Sequence, residues 1–190
     1  MVIYLIRHTK PDVPEETFYG QADVDVIKKN FVEQSARIQT KLPLEKTDLI
    51  ISSPLQRCLK LAKEIQSNQK IDTDPRIKEL NFGDWELKKW NSIDRTKMQE
   101  WTENFTKMPA PNGESHLQLY NRSVEFWNEL LSKQLTTVGI ITHAGVIRSL
   151  LAFMLDMPLE KSFSIKLHYG EMIYVEHILD HHYNIEFLKY

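Results

Sequence analysis

One hundred and ninety residues suffice for one domain of ordinary size, or for two small ones that would each struggle to bury a core, and one domain is the expectation. The hydrophobic share of 42%, the charged share of 26%, and only 6 glycines and 8 prolines exclude a disordered or collagen-like chain. With 24 Lys and Arg against 26 Asp and Glu, a formal charge of -2, there is no global positive field for a nucleic acid backbone or an anionic membrane.

Val2 to Ile6 is a short run of branched and aromatic residues, the pattern of a strand buried on both faces, and it ends abruptly at Arg7. Ile27, Phe31, Val32, Ile38 and Leu42 fall near helical spacing, and Pro43 closes that segment. Asp48 to Ser52 reads as a second buried strand. Ser53-Pro54 then offers a capping side chain before a proline at a first helical position, and Leu55, Cys58, Leu61, Ala62 and Ile65 follow on one face. A third strand is predicted near Lys70 to Thr73. Ile77 to Asn91 has no clean period and carries Gly83 with two tryptophans, which predicts a loop. Helical spacing returns from Ile93 to Phe105, stops at Pro109 to Gly113 and resumes from Ser115 to Leu131. Thr137 to Thr142 is the strongest strand signal, followed by His143-Ala144-Gly145 and an apolar helix from Val146 to Leu155. Met172 to Ile178 and Ile185 to Leu188 read as a last strand pair around a turn at Asp180 to Asn184.

Strands alternating with helices predict an α/β fold, a three-layer sandwich with a mostly parallel central sheet and helices on both faces, built as a single domain over residues 1–190. The single cysteine, Cys58, has no partner for an internal disulfide, and the start of the chain lacks the pattern of a secretion signal. The longest uncharged stretch, Gln134 to Ile147, falls short of the roughly 20 residues that cross a bilayer. The expectation is a cytoplasmic protein that binds neither membrane nor nucleic acid.

Ligands of such sheets sit beyond the carboxyl ends of the strands. Those ends carry Arg7-His8-Thr9, Ser52-Ser53-Pro54 with Arg57, and Thr142-His143-Ala144-Gly145. Taken singly, each residue has a plain structural reading: a histidine at a strand end is commonly a hydrogen-bonded packing residue, Arg57 a solvated helix residue, and Glu79 a surface carboxylate. Two histidines and two arginines at one sheet edge favour chemistry instead. Forked arginine donors suit phosphate oxygens, and a neutral imidazole is a competent nucleophile toward phosphorus. Arg7 beside His8 disfavours imidazolium, and His143 adds a donor for the phosphoryl oxygens. The leaving alkoxide needs a proton, for which Glu79, in a loop with Phe82 and Trp85, is the candidate acid.

Arg7-His8-Thr9, Ser52 to Arg57, Glu79 to Glu86, Asn112 to Ser115 and Thr142 to Arg148 resemble, in order and spacing, the successive motifs of the histidine phosphatase superfamily, which includes the cofactor-dependent phosphoglycerate mutases. The resemblance runs from Ile3 to about Leu155. It implies a phosphoglycerate mutase-like fold and a phosphohistidine intermediate on His8. Arg7, Arg57 and His143 would form the phosphate pocket, with Glu79 as proton donor and neither metal nor cofactor. Tyr19, Gly20, Gln21, Trp85 and Ala144 join Arg7 and Arg57 as substrate-binding candidates. Phe18 to Asp23, Phe82 to Glu86 and Asn112 to Ser115 are most similar to the alpha-ribazole phosphatase branch, which removes a 5'-phosphate late in cobalamin assembly. The implied partner is a small phosphate monoester, and the expected state is a monomer or a homodimer.

Thr9 replaces the usual glycine after the nucleophile, and the common Leu-Thr-x-x-Gly is missing around Val26 to Asn30. Ala144-Gly145-Val146 stands where mutases of the family carry Gly-Asn-Ser, which favours a phosphatase over a mutase. Rival chemistries lack their signatures. A cysteine phosphatase needs an arginine six positions after Cys58, where Glu64 stands, and neither a Gly-x-Ser-x-Gly elbow nor a Gly-x4-Gly-Lys loop occurs. The seven histidines include His181-His182, whose rings on a strand would point to opposite faces, and no His-x-His spacing that would favour a metal occurs. The remaining alternatives are a phosphatase of another small monoester, a mutase, and a phosphate- or partner-binding domain without turnover.

Overall fold

The branched run at the start of the chain forms β1 (Val2–Arg7), the strand around which the rest is assembled. A computed structural model of the protein describes residues 1–66, 70–179 and 182–188. β1 pairs in parallel with β4 (Thr137–Thr142), β4 with β2 (Leu49–Ser52), and β2 with β3 (Ile71–Thr73). On its other side β1 pairs antiparallel with β5 (Met172–Leu179), which pairs antiparallel with the edge strand β6 (His182–Leu188). The order β3-β2-β4-β1-β5-β6 thus joins four parallel strands to an antiparallel hairpin and draws on both ends of the chain.

Strand side chains alternate between faces, and this alternation sorts the core into two layers. Ile3 and Leu5 of β1, with Val138 and Ile140 of β4, meet Leu119, Trp127, Val146 and Leu150 from α4 (His116–Leu131) and α5 (Ala144–Met154). Ile6, Ile50 and Ile141 face the other way, against Ile38 of α1 (Lys28–Lys41) and Cys58, Leu61 and Ile65 of α2 (Gln56–Ile65). The three-layer α/β sandwich expected from the element order is the observed one. A third, smaller core of Phe18, Trp85 and Ala110 lies apart from the sheet, with Trp101 of α3 (Arg95–Asn104) packed against it.

Element boundaries differ from expectation in informative places. Ser53 does not cap α2; the helix begins at Gln56, and its first free amide, Gln56 N, donates to Asp23 Oδ1 at 2.7 Å from a distant loop. α5 starts at Ala144, directly after His143, rather than at Val146. β6 starts at His182 rather than at Ile185, and residues 180 and 181 of the expected turn lie outside the described residues. Ser115 begins α4 as expected, in a reciprocal capping box with Gln118. Among the described residues no helix is long and apolar enough to cross a membrane.

Candidate active site

The carboxyl ends of β1, β2 and β4 bring His8, Ser53, Arg57 and His143 together, all completely buried. His8 is tied to the sheet through its own backbone, its N–H donating to Thr142 O at 3.0 Å and its carbonyl accepting from Gly170 N at 3.1 Å. Its ring Nδ1 lies 2.7 Å from Thr9 O. A carbonyl only accepts, so Nδ1 carries the proton and Nε2 presents a bare lone pair. That Nε2 is buried and has no hydrogen-bond partner among the described residues. Burial first, and then the charges of Arg57 and Arg7, hold His8 well below the usual imidazole range, so the ring is neutral. Thr9 contributes through its carbonyl, which leaves the glycine-to-threonine departure without effect on this contact.

The second histidine stands beside the first, with ring centroids 5.0 Å apart. His143 Nε2 lies 2.8 Å from Ser53 Oγ, so the serine that reads as a helix cap in the sequence serves the site. Burial, followed by the nearby Arg57 and His8, also keeps His143 well below the ordinary range. Cys58 Sγ lies 3.5 Å from His143 Nε2, and burial pushes its thiol up to about 12. It is a packing residue of the α2 face.

Both arginines are held by backbone carbonyls, and among the described residues neither forms an ion pair with a carboxylate. Arg57 donates from its two terminal nitrogens to Gly20 O at 2.6 Å and Ala22 O at 2.9 Å. Arg7 donates to Leu167 O at 2.7 Å and its guanidinium lies 3.8 Å from the centroid of the Tyr169 ring. The Nε of each is buried with no partner. Seven buried side-chain polar atoms lack a partner among the described residues, and Arg7 Nε, His8 Nε2 and Arg57 Nε are three of them. Each such atom costs roughly 1–3 kcal/mol, so their concentration at one place marks a site built for a ligand rather than for stability.

Glu79 reaches the start of α5 and lines the cavity. Its Oε1 accepts from Leu80 N at 2.9 Å and its Oε2 from Gly145 N at 3.3 Å. A Cβ at position 145 would fall 2.2 Å from Glu79 Oε1, so only glycine lets the carboxylate approach the start of α5 this closely. The backbone of Glu79 is pinned by two side chains, Gln21 Nε2 at 3.0 Å and Arg122 Nη2 at 2.9 Å from its carbonyl oxygen. Arg122 also pairs with Glu114, whose Oε1 accepts from Asn81 N at 3.0 Å. Arg122 escaped the sequence reading because it lies mid-helix without a motif of its own; its only signal is its place two turns after Glu114.

A cavity of about 220 Å³ opens beside these residues, lined by Arg7, Tyr19, Gly20, Glu79, Ala144 and Gly145 at one end. Phe18, Phe82, Trp90, His116, Arg148 and Phe163 also line it, with Trp90 stacked on Phe18 at 5.2 Å. Tyr19 and Tyr169 share a 3.1 Å hydroxyl contact beside the His8 ring. Tyr169 is a second residue that sequence reasoning missed, since it lies in an unpatterned loop. His8, Arg57 and His143 are completely buried and are not among the residues that line the cavity, and two further candidates lie elsewhere than expected. Trp85 packs in the small core against Phe18 and Trp101 rather than lining the cavity, because its ring is needed to support that loop. Gln21 turns away to hold the Glu79 and Glu86 segments, its N–H donating to Glu86 Oε1 at 2.7 Å. Among the described residues no three His, Cys, Asp or Glu side chains are grouped to hold a metal ion, and His181 lies outside those residues.

Residues 3–187 match the histidine phosphatase superfamily (branch 1). The chain belongs to this superfamily, and it is a phosphatase, a hydrolase of that class. It is 24% identical over 177 residues to an adenosylcobalamin/alpha-ribazole phosphatase of Escherichia coli (strain K12), covering 90% of this chain and 87% of the relative. It is 27% identical over 169 residues to phosphoserine phosphatase 1 of Hydrogenobacter thermophilus, covering 85% and 80%. Its fold superposes on the crystal structure of the alpha-ribazole phosphatase from Shigella flexneri with a TM-score of 0.85 at 25% identity, covering 99% of this chain and 96% of that one.

Proposed function

We propose that the protein hydrolyses a small, ring-bearing phosphate monoester through a phosphohistidine intermediate on His8, with alpha-ribazole 5'-phosphate, on the route to cobalamin, as the first substrate to test. The observation that carries the chemistry is the His8 ring: proton fixed on Nδ1 by the Thr9 carbonyl, lone pair free on Nε2, and the unpartnered Nε atoms of Arg7 and Arg57 nearby. In the first step Nε2 forms a bond to phosphorus while the bond from phosphorus to the ester oxygen breaks. Arg7, Arg57 and His143 take the non-bridging oxygens, and protonated Glu79 gives its proton to the departing alkoxide. In the second step the Glu79 carboxylate removes a proton from water, the hydroxide attacks phosphorus, and the P–N bond breaks to release phosphate and restore neutral His8.

The substrate class rests on the remainder of the cavity. Phe18, Phe82, Trp90 and Phe163 provide apolar faces, and the cavity walls carry no basic cluster beyond Arg7 and Arg148. That lining suits a ring better than a small polyanionic acid. A panel of monoesters assayed side by side, including alpha-ribazole 5'-phosphate, a ribonucleoside 5'-monophosphate, phosphoserine and 3-phosphoglycerate, tests it. The ring-bearing esters should show the highest kcat/KM, with no 2-phosphoglycerate formed. A preference for 3-phosphoglycerate, or its isomerisation, would overturn the reading.

A further inference from the structure

We propose that His116 and Arg148 form a leaving-group subsite that recognises sugar-type hydroxyls, a vicinal diol held between a neutral acceptor and a guanidinium donor. The inference deepens the reading of the site as a monoester phosphatase and rests on it. Both residues line the cavity, and both lie against the same ring, that of Phe163: the His116 ring centroid is 5.1 Å from it and the Arg148 guanidinium 5.0 Å.

The hydrogen-bond pattern of His116 defines what it can take. Ser149 Oγ donates its one proton to Gly145 O at 2.9 Å, so in its 3.4 Å contact with His116 Nε2 the hydroxyl oxygen accepts. Nε2 therefore carries the ring proton and Nδ1 is a bare acceptor. That Nδ1 has no partner among the described residues although His116 is only 1% exposed. Burial, and then the charge of Arg148, lower the His116 pKa to about 4, so the ring cannot escape the problem by protonating near neutral pH. Arg148 supplies the opposite function. Its Nε donates to Ile165 O at 3.1 Å, and its terminal nitrogens make no hydrogen bond among the described residues.

An acceptor and a cationic donor that line one cavity and share one ring discriminate among ligand groups. A carboxylate would satisfy Arg148 but set its own lone pairs against Nδ1. An ammonium would satisfy Nδ1 but stand beside a guanidinium. A hydroxyl donates to one and accepts from the other, and two adjacent hydroxyls do so without strain. The aromatic walls then take a ring attached to the same sugar.

The test compares a ribonucleoside 5'-monophosphate with its 2',3'-dideoxy counterpart, in the wild-type protein and in His116→Phe, which keeps an aromatic ring against Phe105 and Phe163. Wild type should favour the ribonucleotide by at least about 10-fold in kcat/KM, the scale of one or two hydrogen bonds. In His116→Phe the ratio should fall toward one, whatever the absolute rate. Equal kcat/KM for the two nucleotides in wild type would overturn the subsite, and that comparison needs no variant to fold. An unchanged ratio in His116→Phe, or phosphoserine outperforming both nucleotides, would also overturn it. Failure of wild type to hydrolyse any ester, p-nitrophenyl phosphate included, would instead remove the phosphatase reading and the subsite with it.

Discussion

The site has two ends, a buried phosphate cluster and the cavity beside it, and they are built on different principles. At the phosphate end, His8, Arg57 and His143 are completely buried and held by strand-end backbone and main-chain carbonyls. At the leaving-group end, Trp90 and Phe163 are about half exposed, at 55% and 48%, and ride on short helical turns at Trp90–Ser92 and Leu159–Ser164. A group that must hold the same trajectory for every substrate sits on the rigid sheet, and groups that choose the substrate sit on segments that tolerate change. Loss at the first end should therefore fall on all esters alike, and loss at the second only on those with a ring.

Glu79 stands where the two ends meet and gives the largest expected contrast of this kind. Glu79→Gln should slow an alkyl monoester by about two to four decades, the scale of proton-transfer help, because the alkoxide leaves without a proton. p-Nitrophenyl phosphate, whose leaving group needs little protonation, should lose far less. Equal losses on both esters would take the acid role from Glu79 and turn attention to Glu114 or Glu86.

A smaller effect sharpens the other end. Trp90→Ala removes the ring stacked on Phe18, and should raise KM for a ring-bearing ester by about 3- to 10-fold, the worth of one aromatic contact. The kcat values should change little, since the phosphate end is untouched. A loss of kcat with KM unchanged would mean that the aromatic turn positions the reacting groups as well.

The smallest effect is on stability and belongs to both ends. His8, His116 and His143 are held below the free imidazole value, so each stays neutral in the folded protein while the unfolded chain takes up a proton on acidification. Unfolding then binds protons, and stability falls as pH drops. For His116 the window runs from 6.5 down to about 4, at up to ~1.4 kcal/mol per pH unit. Urea midpoints measured from neutral pH down to pH ~5 should fall steadily, and more gently in His116→Phe. A flat profile would contradict neutral burial of these rings.

Much of this was legible in the sequence because the phosphate end is local. A buried strand ending in Arg7-His8, and another ending in Thr142-His143, announce themselves through periodicity broken by charge. What escaped was the set of long-range partners. Ser53-Pro54 has every local feature of a helix start, yet Asp23 caps α2 and Ser53 turns to His143, a choice settled by packing across 90 residues. Trp85 and Trp90 are equivalent as letters in one loop. Only the packing of Phe18 and Trp101 decides that Trp85 is core while Trp90 faces the cavity. Arg122 pins Glu79 through a main-chain carbonyl, and a carbonyl leaves no trace in residue identity.

The central claim is that the free Nε2 of His8 becomes bonded to phosphorus during turnover, and rapid quenching reads it directly. Protein mixed with a 32P-labelled monoester and quenched in base should carry label on His8, stable in alkali and lost in acid. His8→Ala should carry none and lose activity by about three decades or more, as removal of a nucleophile does. A wild-type protein that turns over without trapped label, together with a His8→Ala variant of near wild-type activity, would contradict the account.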